Sequence, residues 1–270
     1  MNTKRVMIGS LIGLLGLALF LIPLGLAVEP YGSQVSHINS SRSVADSAES
    51  NVALAGNVTE MDLFSYSVTQ TWQGFFGNVT GTIQLADASD NVFYNWSAAR
   101  PLGEVYASMN SSITWTNIQC FNFTSNGTFD NDVSYAGGTS QSGINLSMLE
   151  AQFTINETDY DGINETFGYA DGAFPAGIDH AQFYTASRQF DAGECVATST
   201  FDNTGKSVAS DFQEVILYEP ATTSVIWATI IERDEMGFDG RPHDFQLMVP
   251  EDGHGTNIVT TTYYFFVELD

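Results

Sequence analysis

Between residues 64 and 72 apolar side chains recur on one parity, with Phe64, Tyr66, Val68 and Trp72 on one side and Ser65, Ser67, Thr69 and Thr71 on the other. Only an extended strand sends alternate residues to opposite faces, so the pattern predicts a strand with one face buried and one wet. Gly74 and Gly77 punctuate it. Val79, Ile83 and Leu85, alternating with Thr80, Thr82 and Gln84, predict a second strand that pairs with the first and ends in the turn-forming stretch 87–91.

Short runs rich in β-branched and aromatic residues follow at 92–96, 104–107, 113–120, 182–188 and 195–201. Residues 215–218 and 225–231 flank Glu219, Pro220 and Ala221 as a hairpin, and the nearly unbroken apolar character of 225–231 predicts a central strand covered on both faces. Asp239 and Gly240 mark a turn before 245–249, and a Thr-rich aromatic run fills 260–269. Leu146, Leu149 and Phe153 stand at helical spacing and predict one short helix. The fold class expected is all-β, an antiparallel, jelly-roll-like β-sandwich with one short helix. An apolar content of 43% supplies a sizeable core and excludes wholesale disorder.

Ahead of this domain lies a segment of different chemistry. Lys4 and Arg5 precede an uncharged, Leu- and Ile-rich run over 6–28, the signature of a secretory signal. Pro23 breaks the run before Gly25 and Ala27, small residues suited to cleavage after Ala27; the run is also long enough to stay in a bilayer as an N-terminal anchor helix. The expected organisation is a signal peptide or membrane anchor at 1–27, a Ser-rich flexible linker at 28–51, and one β-sandwich domain at 52–270, all exported beyond the anchor.

Cys120 and Cys195 are the only two cysteines. In an exported chain an even pair predicts a disulfide; the other reading is two buried free thiols. No tryptophan lies between them, which sets an immunoglobulin domain aside.

Ten Asn-X-Ser/Thr sequons occur, where the content of Asn, Ser and Thr gives about three by chance. Asn39, Asn57, Asn78, Asn95, Asn110, Asn126, Asn145, Asn156 and Asn164 are the expected N-glycosylation sites; Asn122, sharing parity with Cys120, is a poor acceptor. The charge balance is one-sided, with 8 Lys and Arg against 32 Asp and Glu. Such a surface repels phosphate backbones and anionic headgroups, which excludes a nucleic-acid partner and leaves membrane attachment to the N-terminal segment.

Enzyme signatures are mostly missing. The Gly138–Thr139–Ser140–Gln141–Ser142 stretch lacks the second glycine of a nucleophile elbow, and His37, His180, His243 and His254 are scattered. His243 beside Asp244 has the makings of an oriented base, but structural histidines are the plainer reading. No catalytic residues are assigned. The best cofactor candidate is calcium: Asp159, Asp161, Asn164 and Glu165 surround Gly162, and Asp130 with Asp132 makes a smaller cluster. The spacing is not that of an EF-hand, and a solvated acidic loop is the competing reading. The run at 260–269 suits either an internal strand or one that completes a neighbour's sheet.

The stretch Trp72–Gln73–Gly74–Phe75–Phe76–Gly77–Asn78–Val79–Thr80–Gly81, with Gly103–Glu104–Val105–Tyr106, Asp244–Phe245–Gln246 and Thr262–Tyr263–Tyr264, resembles a group of archaeal secreted proteins without an assigned activity. The resemblance implies an exported, β-rich, sequon-bearing chain of the cell envelope and carries over no catalytic residues. The expected function is thus an exported, N-glycosylated, acidic cell-surface or extracellular protein with a structural or interaction role. Its partners would be envelope components or identical subunits, with assembly through strand contacts. The alternative is a secreted glycan-binding module or glycan-active hydrolase.

Overall fold

The structure, a computed structural model, describes residues 29–44, 46–96, 103–121, 146–156, 158–168, 180–205, 211–251 and 260–269. The expected signal or anchor at 1–27 lies outside them, as do Asp130, Asp132, Asn122, Asn126, Asn145 and His254. Among the described residues no helix is long and apolar enough to cross a membrane.

In chain order the strands are β1 (Tyr31–Gly32), β2 (Trp72–Gly77), β3 (Ile83–Ala86), β4 (Val92–Trp96), β5 (Glu104–Ser108) and β6 (Gln119–Cys120). Two short helices follow, α1 (Leu146–Gln152) and α2 (Ile163–Thr166). Then come β7 (Phe183–Thr185), β8 (Arg188–Phe190), β9 (Ala197–Ser199), β10 (Gln213–Glu219), β11 (Ser224–Ile230), β12 (Glu235–Met236), β13 (Pro242–His243), β14 (Phe245–Pro250) and β15 (Tyr264–Val267). The described chain is mostly β, and the strand pairs are antiparallel.

The principal sheet runs β1-β15-β5-β11-β10-β6, with β9 also on β10. The hairpin expected around Glu219, Pro220 and Ala221 is β10–β11, with Leu217 opposite Ile226 and Ile216 opposite Trp227. β11 is central, as its unbroken apolar run requires, because both of its faces are covered. On one face Tyr106, Val215, Leu217, Ile226 and Ala228 pack with Trp115, Phe183 and Phe190. On the other, Ala107, Ile216, Tyr218 and Trp227 meet Leu149 of α1, Ile163 of α2, and Leu247 and Val249 of β14.

Several strand expectations give way to partner choice. The stretch 64–71 forms no strand, and Phe64 points into water at 91% exposure. Period-two alternation states which face a strand would bury, but a strand also needs a free edge. The edge that β14 offers is taken by Trp72–Gly77, so the strand runs through the glycines that seemed to end one. β2 therefore pairs with β14, while the second expected strand shrinks to β3 and pairs with β4. Val79 is detached from it: its N–H donates to Asp244 Oδ2 at 2.7 Å, and its side chain is buried with Val105 and Ile231.

The expected strand at 113–120 contains a 3-10 turn, Trp115–Asn117, that drops Trp115 into the core before β6 begins. The run 182–188 is broken at Ala186, whose φ of 52° lies in the left-handed region disfavoured for a residue with a Cβ. Buried Glu268 holds it there by accepting Ala186 N–H at 2.9 Å and the Tyr106 hydroxyl at 2.8 Å, which fastens the β7–β8 turn to the sheet. The run at 260–269 becomes β15, flanked by β5 and β1 of its own chain. Tyr31–Gly32, within the span read as linker, thus contributes a strand.

Candidate functional site

β2 and β14 form a separate two-stranded layer over β11. Beside it opens a cleft of about 1000 Å³, lined on these strands by Trp72, Phe75, Met248 and Val249, near β15 by Tyr263, and by Glu251. The extended segments at 40–43 and 68–70 line it too, with His37 and Phe238. Trp72 is held in place through its indole N–H, which donates to Asp161 O at 2.7 Å, and through edge-to-face contact with Trp227.

Behind the cleft lining, Glu214 of β10 is fully buried. Its Oε2 accepts Met248 N–H at 2.9 Å, while Oε1 is buried without a partner. Burial pushes its carboxyl well above the usual carboxylate range, against the Met248 hydrogen bond. Tyr263 shares this environment. Burial, with Glu251 and Glu214 nearby, raises its phenol, which stays protonated and donates to Pro250 O at 2.7 Å.

A measurable consequence follows from the raised carboxyl. The folded chain keeps a proton on Glu214 that the unfolded chain releases at the ordinary glutamate value, so this site's stabilisation is complete below that value and is lost as pH rises toward the raised folded one. Glu214→Gln, which keeps the acceptor for Met248, is expected to flatten the fall in stability between pH 5 and 8. Urea unfolding across that range reads it; an unchanged slope would show that Glu214 is charged in the native state.

Of the expected calcium ligands, Asn164 and Glu165 are in contact, the Asn164 side-chain amide donating to Glu165 Oε1 at 3.4 Å, while Asp159 and Asp161 have partners of their own. Asp161 Oδ2 accepts the Thr69 hydroxyl at 2.6 Å, and Asp159 Oδ2 accepts Asn156 N–H at 3.1 Å. Asn164 donates its N–H to Glu150 Oε1 at 2.7 Å, and Glu165 faces Glu150 across Gly162, where a Cβ would come within 2.6 Å of Glu150 Oε1. Burial, joined by the neighbouring Glu165, raises the Glu150 carboxyl despite the Asn164 donation. Among the described residues no group of three or more His, Cys, Asp or Glu is disposed to hold a metal ion. Sequence spacing missed Glu150 because its partner lies across a helix–helix contact, and it missed Glu214 because a single glutamate in a strand carries no spacing signal.

The histidines have structural settings. His180 is buried, with Nδ1 2.8 Å from Ala181 O and Nε2 accepting Cys195 N–H at 2.9 Å. His243 does not use its neighbour Asp244; it pairs with Asp239 at 2.9 Å. Burial opposes ionisation of Asp239, but hydrogen bonds from Arg241 and His243 outweigh it and hold the carboxyl down at about 2. Asp244 instead accepts Val79 N–H and Asp234 N–H.

Cys120 and Cys195 form the expected disulfide, with a Cα separation of 5.0 Å and both residues in the core. This bond fits a protein outside the reducing cytosol. Of the sequon asparagines, Asn39, Asn57, Asn78, Asn95 and Asn156 are exposed. Asn110 and Asn164 are half-buried, and their amide nitrogens donate to Ser224 Oγ and Glu165 Oε1. Trp115 and Trp227 are buried, Trp72 lines the cleft half-buried, and Trp96 is exposed.

The β3–β4 hairpin is largely exposed. Every residue of β4 is exposed, and among the described residues the hairpin pairs with no other strand. Of its cross-strand pairs, Ile83 with Trp96 and Leu85 with Tyr94 share one face and Gln84 with Asn95 the other, while Phe93, 84% exposed, falls at the register shift.

Comparison with protein-family models, with curated proteins and with solved structures finds no match.

Proposed function

We propose that the chain is an exported, N-glycosylated, acidic protein of the cell surface or extracellular space, with a structural or interaction role. The observation that carries this reading is the buried disulfide. It joins residues 75 apart within one core, a bond that forms and persists in an oxidising compartment. The exposed asparagines of five sequons and the projecting hairpin support it further. In this reading residues 1–27 act as signal or anchor. The packing of the β2–β14 layer across β11 supports a jelly-roll-like sandwich built around the principal sheet.

Intact-mass and peptide-mass analysis of the native protein tests the proposal. The expected result is one disulfide, lost on reduction, and glycan mass on peptides bearing Asn39, Asn57, Asn78, Asn95 or Asn156. A cytosolic chain with free thiols and bare asparagines would end it. A second reading, glycan binding or cleavage, draws on Trp72 and Glu251 sharing the cleft. It requires oligosaccharides to perturb tryptophan fluorescence, and no change across a panel of them sets it aside.

A further inference from the structure

We propose that Glu150 of α1 and Glu165 of α2 together hold a hard divalent cation, calcium, beside Gly162. The site stands apart from the export reading, which supplies only a calcium-bearing outer medium. It also differs from the ligand set expected from spacing: Glu150 enters, and the side chains of Asp159 and Asp161 leave.

Gly162 precedes α2 with φ −69°, a backbone that any residue adopts, so the glycine answers to space and not to conformation. A Cβ there would fall on Glu165 Oε2 and lie 2.6 Å from Glu150 Oε1, with Asp159 O 3.3 Å away. Oxygens of two carboxylates and one main-chain carbonyl thus converge where a side chain at 162 would lie.

A second observation points to a positive occupant. Glu150 is 1% exposed, and both its Oε2 and Glu165 Oε2 are buried with no hydrogen-bond partner. Such oxygens cost free energy, and neither carboxylate joins an ion pair among the described residues. Two acceptors cannot satisfy each other; only a proton or a cation between them does. Burial, joined by the neighbouring Glu165, raises the Glu150 carboxyl, so the proton is the occupant in acid. Calcium displaces it as pH rises.

The donor set is all oxygen, which suits a hard cation and not the softer metals that take sulfur or imidazole. Magnesium demands near-ideal octahedral geometry, whereas calcium accepts an irregular set of carboxylate, carbonyl and water. Asn164 and Glu165 are half-buried, so the site opens to solvent on that side and water completes the shell. Two carboxylates, not three, place the affinity among weak extracellular sites, with a dissociation constant on the order of 10⁻⁴–10⁻³ M. The formal net charge of −24 draws cations to the chain. Once bound, the ion ties α1 to α2, whose Leu149 and Ile163 pack with Trp227 on the same face of the principal sheet, so binding stabilises that layer.

Calorimetric titration of the chelator-treated, full-length chain with calcium chloride at pH 7.5 tests this, beside thermal unfolding in calcium chloride and in sodium chloride of equal ionic strength. The expected result is saturable one-site binding and an unfolding midpoint about 3 °C or more higher in about 10 mM calcium than in the sodium control. Apparent affinity falls between pH 8 and pH 5. Glu150→Gln, which keeps the acceptor for Asn164 N–H, and Glu165→Gln each weaken binding at least about tenfold, while Asp161→Asn changes it less than about threefold. Glu150→Gln without calcium is expected to be at least as stable as wild type, which separates loss of the site from loss of the fold. No saturable binding by wild type up to about 10 mM, binding that survives both glutamine variants, or equal loss in Asp161→Asn overturns the proposal. Each of these leaves the mass analysis of export and glycosylation standing, so the two readings fail separately.

Discussion

Replacing Cys120 and Cys195 together by alanine is expected to lower the unfolding free energy by about 4 kcal/mol. The bond spans 75 residues, and in the chain-entropy model a loop of that length removes about this much freedom from the unfolded ensemble. Domains of ordinary stability have about 5–15 kcal/mol in total, so the loss is a large fraction of the whole. The folded state itself should change little. Both cysteines are buried among Leu217, Val215 and Phe190, where alanine leaves small voids, and the His180 contact is to the Cys195 backbone. Urea unfolding of the oxidised wild type, the reduced wild type and the double variant checks the expectation. The latter two should agree with each other and show a steeper denaturant slope, because their unfolded chains are more expanded. A difference below about 1 kcal/mol between oxidised and reduced forms would mean that the bond is incidental to the fold.

The second large effect is expected at Trp227. Its side chain is 1% exposed, at the centre of β11, with ring centroids 5.8 Å from Trp72 and 5.5 Å from Phe167. Trp227→Ala removes that volume from between the principal sheet and the layers over it, at a cost of about 3–5 kcal/mol. Trp96→Ala, on the exposed hairpin, should stay within about 0.5 kcal/mol of wild type in unfolding measured on the monomer at low concentration. Chemical denaturation of the two variants in parallel gives the comparison. Equal losses would mean that the hairpin is packed in the native protein. Trp227→Ala also removes the ring against which Trp72 is seated, so the cleft lining should loosen with the core, visible as faster amide exchange along β2.

Elements whose fate depends on local chemistry were legible in the residues. The β10–β11 hairpin follows from two apolar runs around Glu219, Pro220 and Ala221, and the helix from Leu146 and Leu149. The cysteine pairing was the expectation for two cysteines in an exported chain, with free thiols as the other reading, and the bond is present. What failed were inferences that needed a partner. Phe64, Tyr66 and Val68 alternate as well as any strand in the chain, yet no edge receives them. Gly74 reads as a terminator and lies mid-strand, because Met248 across β14 supplies the pairing that its own side chain does not. Asp161, grouped by spacing with Asp159, Asn164 and Glu165, has its carboxylate on Thr69, 92 residues away, a contact that no local pattern records.

By itself the sequence determined the antiparallel β character, the central strand, the disulfide and the acidity, since each rests on side-chain type and on periodicities imposed by backbone geometry. The tertiary structure decided which edges were filled, which carboxyls lost their water and which aromatic face was left over. Those outcomes depend on competition among distant segments for a limited number of pairing sites, and no local pattern records which segment wins.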